Sequence, residues 1–314
     1  MIEVQNLTRY YGHHAAVAGL SFSIQDHEIV GFLGLNGAGK STTLKILAGL
    51  LLPSSGTVTL DGVDVVQAPD SLRSQIGYLP EDAPLYLDMR VRDFVAYVGQ
   101  LKGMSNDQVN AHIDGVLDRC GLSERADQVI SELSHGYKKR VGIAQAIIHQ
   151  PKLVILDEPI SGLDPLQIRE IREVIVGLKA DCTVLISSHI LGEISQTCDR
   201  ILVLKDGKLA AQGTEDELSN SMGQRGQLEL SIRGAEHAVV AALEAYPHTS
   251  AVTRVRAETA TDGGTIVHCQ VALATDEREG LIAALVAAGL GLRRMDEADS
   301  ELEAIFVNLT QGKS

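Results

Sequence analysis

Two short segments carry residue types that act together in chemistry. Residues 34–42 read GLNGAGKST, and Gly34 to Ser41 fits the pattern G-x-x-x-x-G-K-[ST]. The motif follows an apolar run, Ile29 to Leu33, expected as a buried strand, and opens a segment expected as a helix over Gly39–Leu50. Glycines allow the tight backbone path that turns the N–H groups of Gly34, Asn36, Gly37, Ala38 and Gly39 toward one point. The helix start adds the positive end of its dipole. Lys40 then reaches the β- and γ-phosphates of a nucleotide, Ser41 is placed to bind Mg²⁺, and Thr42 is placed at the α-phosphate. A glycine-rich turn without function is the alternative, and the sequence of strand, motif and helix speaks against it.

The second segment is LVILDEP, residues 153–159. An apolar strand ends there in adjacent carboxylates. Carboxylates at the exit of a buried parallel strand stand at the edge where open α/β sheets bind ligands. Asp157 fits the Mg²⁺-supporting acid, and Glu158 fits a general base that polarises an attacking water. A pair that merely solvates a strand end is the competing reading, weakened by the phosphate loop earlier in the chain.

These residues need a scaffold. Leu153–Leu156 and Thr183–Ser187 are continuous apolar runs of the buried parallel type. Ile201–Leu204, Asp206-Gly207 and Lys208–Ala211 form a hairpin pattern with a DG turn. Between Arg90 and Gln150 strand signals give way to helical spacing, as in Val91, Phe94, Val95, Val98 and Leu101. The expectation is an α/β core over residues 1–220 with a helical subdomain at about 90–150. The polar stretch ELSNSMGQRGQ, residues 217–227, reads as a linker. Beyond it, residues 228–314 give strands at Leu228–Ile232, Ala251–Val255 and Ile266–Leu273, with a DGG turn at 262–264. Helices are expected at Ala235–Ala245, Leu281–Leu290 and Asp299–Leu309, with a further strand near Leu292. That βαββα order suits a small α+β domain of ferredoxin-like kind.

Composition bounds the partners. The chain has 314 residues, 45% hydrophobic and 22% charged, with a net charge of −14. Two domains and an ordinary globular core are expected. The acidity argues against a nucleic-acid partner bound through a broad basic face, while ATP needs only one local cationic nest. The charge-free run Gly280–Leu292 is shorter than the roughly 20 residues of a spanning helix. The N-terminal segment carries Glu3 and lacks a long apolar run, so no secretory leader is expected. Cys120, Cys182, Cys198 and Cys269 show no CxxC pairing and read as reduced thiols of a cytosolic protein. His268 and Cys269 are neighbours, but a strand turns them to opposite faces, so they do not share a metal.

On these motifs the chain resembles the ATP-binding subunit of an ABC transporter over about residues 1–220. The family's LSGGQ signature has its counterpart in LSHGYKKR, Leu133 to Arg140, where Ser134 and Gly136 match and His135 and Tyr137 depart. The resemblance implies that Ser134 and Gly136 face the γ-phosphate held by an opposite subunit, two chains enclosing two ATP molecules. It implies that Asp164 in SGLD completes the dimer interface and that His189 in SSHI contacts the γ-phosphate and positions the water. Tyr11 in RYYG takes the place of the aromatic that stacks on adenine, with Tyr10 as the competing candidate. The glutamine of the family's loop toward the membrane partner falls at Glu81 in IGYLPE, an acceptor-only group when ionised, placed near Mg²⁺ or the water.

GYLPE, LSHGYKKRVGIAQA and the trailing domain together resemble the bacterial exporter type, whose members serve sodium, antibiotic and gliding-motility export. The resemblance implies an ATPase that forms a homodimer or pairs with a second ATPase subunit. It also implies work with a separate transmembrane permease, from the cytoplasmic face of the cell membrane. A soluble ABC-type ATPase outside transport and a non-hydrolysing regulatory subunit are the alternatives.

Overall fold

The computed structural model describes residues 1–68, 72–221, 227–259, 264–273 and 277–297. The chain divides into two compact units, Met1–Thr214 and Glu215–Ser314.

In the first unit β1 (Ile2–Tyr11), β2 (His14–Ile24), β4 (Ser55–Leu60) and β5 (Val63–Asp64) form an antiparallel sheet in the order β2-β1-β4-β5. The second sheet contains β3 (Ile29–Leu33), β6 (Ile76–Leu79), β7 (Leu153–Asp157), β8 (Thr183–Ser188), β9 (Arg200–Lys205) and β10 (Lys208–Gly213). Its order is β10-β9-β3-β8-β7-β6, parallel except for the hairpin strand β10 at one edge. Every residue of β3, β7 and β8 is buried, as unbroken apolar runs in a sheet covered on both faces require. The phosphate-loop strand β3 is central, between β8 and β9.

The region read as helical carries helices Val91–Leu101, Asn106–Arg119 and His135–Ile147, with 3₁₀ turns at Ser123–Arg125 and Ile130–Glu132. It forms the connection between the adjacent parallel strands β6 and β7. The helix Asn106–Arg119 starts on a capping box, Ser105 with Gln108. The helix His135–Ile147 lies so close to β6 that a Cβ at Gly77 would collide with the carbonyl of Ala146.

The helix expected over Gly39–Leu50 spans Lys40–Leu47, and Gly49 at φ +69° follows its end. The DG turn is present, with Asp206 at φ 49° and Gly207 at φ 75°, the two positive dihedrals of a type I′ turn. The β2-β1-β4-β5 sheet had no counterpart among the expected strands. Its strand β1 loses its alternation at a register shift between Val4 and Leu7, where Asn6 takes φ 50°.

In the second unit the segment read as a linker from residue 217 begins inside a helix, Glu215–Ser221. Three acids in its first turn suit the positive end of the helix dipole. There follow β11 (Gln227–Arg233), helix Glu236–Glu244, β12 (Thr249–Thr259), β13 (Thr265–Leu273), helix Arg278–Ala287 and β14 (Gly291–Glu297). The sheet is antiparallel in the order β12-β13-β11-β14. Leu228, Leu230, Ile232, Val267 and Val271 pack with Val239, Leu243, Leu281 and Leu285 in one core. Cys269 is buried on that side, while His268 bonds the hydroxyl of Ser231 at 2.9 Å on the other. The helix expected at Asp299–Leu309 lies outside the described residues, as does most of the 262–264 turn. No helix among the described residues is long and apolar enough to cross a membrane.

Candidate active site

The loops leaving β3, β7 and β8 meet at the carboxyl edge of the parallel sheet. They border a cleft of about 530 Å³ lined by Asn36, Gly37, Gly39, Lys40, Ser41, Thr42, Glu81, Glu158 and His189. The cleft also takes in His14, Ala16, Leu35 and Ser161.

The phosphate loop is braced from beneath. Gly39, at φ +100°, caps the helix Lys40–Leu47, and a side chain there would collide with the carbonyl of Ala16. The carbonyl of Ala38 accepts from the N–H of Gly207 at 3.1 Å, so the DG turn of the hairpin supports the loop. Gly34 and Ala38 therefore shape the loop from below. Lys40 is buried, and its ammonium donates to the carbonyl of Gly34 at 2.6 Å.

Asp157 closes β7 and is buried. Its Oδ1 accepts from Ser41 Oγ at 3.2 Å and from Ser187 Oγ at 2.6 Å. Ser41 and Asp157 thus offer neighbouring oxygen ligands, the hard donor set that Mg²⁺ takes together with water and phosphate oxygens. Glu158 follows at φ 49°, a left-handed conformation that costs a non-glycine residue free energy. Its N–H donates to Ser187 Oγ at 2.9 Å. Its carboxylate is 7% exposed, with Oε1 3.5 Å from Lys40 Nζ and Oε2 2.9 Å from His189 Nδ1. The imidazole donates from Nδ1 to this carboxylate, which leaves Nε2 for another partner.

The loop bearing His189 is itself fixed. Ser188 Oγ accepts from the N–H of Ile190 at 3.0 Å and donates to Glu193 Oε2 at 2.6 Å. Burial pushes the Glu193 carboxyl up, and the bond from Ser188 opposes that. Lys139 is also buried, and burial lowers its ammonium while the charges of Glu81, Asp82, Glu158 and Asp157 oppose the shift.

Four expected residues stand away from this cleft. Tyr11 is half-exposed at the end of β1 with the Arg9 guanidinium 5.1 Å from its ring centre. Ser134 caps the helix His135–Ile147 by accepting from the N–H of Tyr137 at 3.4 Å. Asp164 caps the helix Pro165–Leu178, accepting from the N–H of Gln167 at 3.0 Å. Gly136 lies against Gln167, whose Oε1 would be 2.6 Å from an added Cβ, so the two caps occupy adjoining loops.

Ser187, Lys139, Ser161 and His14 escaped the reading of the sequence. Ser187 had a signal, a hydroxyl at a strand end two residues before His189. His14, paired with Tyr11 across the β1–β2 turn, carried no such signal.

A backbone cradle on a helix start, a buried lysine, an oxygen pair for a cation and an acid joined to a histidine define a nucleoside-triphosphate hydrolysis site. A family model described as ABC transporter matches residues 17–161. The chain is 31% identical over 311 residues to the linearmycin resistance ATP-binding protein LnrL of Bacillus subtilis (strain 168), covering 99% of this chain and 98% of that protein. It is 35% identical over 242 residues to the bacitracin transport ATP-binding protein BcrA of Bacillus licheniformis, 76% of this chain and 78% of that one. Among solved structures, the dimeric bacterial ABC transporter cassette MJ0796 matches with a TM-score of 0.62 and 25% identity. That match covers 68% of this chain and 98% of the cassette. The chain belongs to the ATP-binding subunits of ABC transporters, a family of ATPases.

Proposed function

We propose that this chain powers export through a separate transmembrane permease, two ATPase subunits closing over two ATP molecules at the cytoplasmic face of the membrane. The observation that carries the reading is the placement of Glu158, its carboxylate between Lys40 and His189 and one residue from the Asp157–Ser41 pair. Glu158 accepts the proton of the attacking water as general base. His189 orients that water and contacts the γ-phosphate through Nε2. Lys40 leaves the Gly34 carbonyl for the β- and γ-phosphates, and the N–H groups of the loop hold the same oxygens. Ser41 and Asp157 would hold Mg²⁺, with Glu81 at the rim, and the cation would supply charge neutralisation at the phosphate oxygens. Tyr11 lies against adenine.

Ser134, Gly136 and Asp164 lie outside the cleft of their own chain and serve the nucleotide of the opposite subunit. The dimeric state of the MJ0796 cassette supports this arrangement. The names of LnrL and BcrA, linearmycin resistance and bacitracin transport, support export as the direction and an antibiotic as the class of cargo. We read the second unit, Glu215–Ser314, as an accessory domain of ferredoxin-like kind. Replacing Glu158→Gln in the purified chain is expected to leave ATP binding intact and slow turnover by about 100-fold or more. Undiminished steady-state hydrolysis in that variant would remove Glu158 from the base role.

A further inference from the structure

Lys139 has no part in the mechanism above, yet it is one of the few lysines the fold buries, at 5% exposed. It projects from the helix His135–Ile147. Its ammonium donates to the carbonyl of Glu81 at 2.7 Å and to the carbonyl of Glu158 at 3.3 Å. One cation thus bridges two loops far apart in sequence. The first follows β6 and leads toward the helix Val91–Leu101; the second carries the base.

The bond to Glu158 falls on a residue whose backbone needs external support. Glu158 is left-handed at φ 49°, and its N–H is already taken by Ser187 Oγ. Lys139 holds the other end of the residue. With both peptide groups clamped, the Cα–Cβ vector is fixed and the carboxylate meets Lys40 and His189 together. With Lys139 gone the Glu158 carbonyl keeps only the bond from the N–H of Ser161 at 3.3 Å, and the carboxylate is held less firmly in line. A displacement of about 1 Å at such a group costs up to about 100-fold in rate.

We propose that Lys139 is a positioning residue that holds the Glu158 base in its working geometry and ties that geometry to the position of the Glu81 loop. Movement of the helical region that draws the Glu81 carbonyl away shifts the ammonium and loosens the base. Approach of that loop restores both bonds. The proposal rests on the assignment of Glu158 as base, and the experiment separates the two.

The purified full-length chain is compared with Lys139→Met, Lys139→Arg, Glu158→Gln and the Lys139→Met/Glu158→Gln double variant. Steady-state kcat and KM for ATP are measured, with equilibrium binding of a fluorescent ATP analogue and thermal melting alongside. Lys139→Met is expected to lower kcat by about 10- to 100-fold while KM and analogue affinity stay within about twofold. Lys139→Arg, which keeps two donors, recovers most of the rate. The double variant turns over no more slowly than Glu158→Gln alone, because Lys139 acts through Glu158. A folded Lys139→Met with kcat within twofold of the parent overturns the proposal, as does a double variant whose loss is the product of the two single losses. Should Lys139→Met fail to fold, Lys139→Gln takes its place with the same criteria. Full turnover in Glu158→Gln would overturn the base assignment, and the role of Lys139 with it.

Discussion

Glu158 shows how much of a site can depend on one uncommon backbone dihedral. At φ 49° its side chain leaves the strand direction and enters the cleft, and side chains from β8 and from a distant helix maintain that turn. His149 presents the opposite situation, a titratable group used only to close the structure. Its Nε2 donates to the carbonyl of Ile76 at 3.2 Å, while Nδ1 is buried without a partner among the described residues. Burial lowers the imidazole from 6.5 to about 4, and the nearby charge of Lys102 adds to the shift. In this pH range the unfolded chain binds a proton that the folded chain refuses. The contribution of His149 is therefore complete above pH 6.5 and is lost as the pH falls toward 4. Melting temperatures taken at pH 7 and pH 4.5 are expected to fall less in His149→Gln than in the parent, and equal falls would contradict this. Lys40, Ser41, Asp157, Glu158 and His189 were legible in the sequence because each has a fixed offset from a motif or a strand end. Ser187 and Lys139 were not. A serine ending a strand and a lysine in a KKR run look solvated until distant segments are placed beside them.

At the level of elements, the tightest constraint is the seat of β6 against the helix His135–Ile147. Gly77→Ala would drive a methyl group into the Ala146 carbonyl, and neither the strand nor the helix can move without disturbing β7. A loss of about 1–3 kcal/mol is expected, read as a lower denaturation midpoint in urea at unchanged slope. An unchanged midpoint would mean that the helix is free to shift. The parallel strands and the DG hairpin were readable because their apolar runs and turn residues are local signals. The β1–β2–β4–β5 sheet was not, since a bulge at Asn6 breaks the period on which such a reading depends. Helix ends slipped for a related reason: Leu50 and Leu290 extend an apolar pattern beyond the glycines, Gly49 and Gly289, at which the backbone has already turned left-handed.

At the level of the whole molecule, Ser134 is both a helix cap and the proposed ligand of a nucleotide on another chain. These roles separate in a Glu158→Gln background. Ser134→Ala is expected to cost about 1 kcal/mol of stability as a lost cap, and to abolish the dimer that ATP induces on gel filtration. A dimer that persists would leave Ser134 with the cap alone. The segment 217–227 reads as a linker, yet a helix starts at Glu215, because a polar, acid-rich segment can start a helix as readily as it can link domains. The order of the central sheet has a further consequence, in the time of synthesis. Strand β3 and its phosphate motif are made early, but the neighbours on its two sides, β8 and β9, begin at Thr183 and Arg200. The turn that supports Ala38 arrives later still, at Gly207. At about 5–20 residues per second the ribosome needs on the order of ten seconds to cross that interval. Until Thr183 is made, the nascent chain carries a complete phosphate-binding sequence with both edges of β3 unpaired and without the Gly207 support beneath the loop. ATP therefore cannot guide the early folding of the segment that binds it, and a ribosome halted before Arg200 would display the motif without the site.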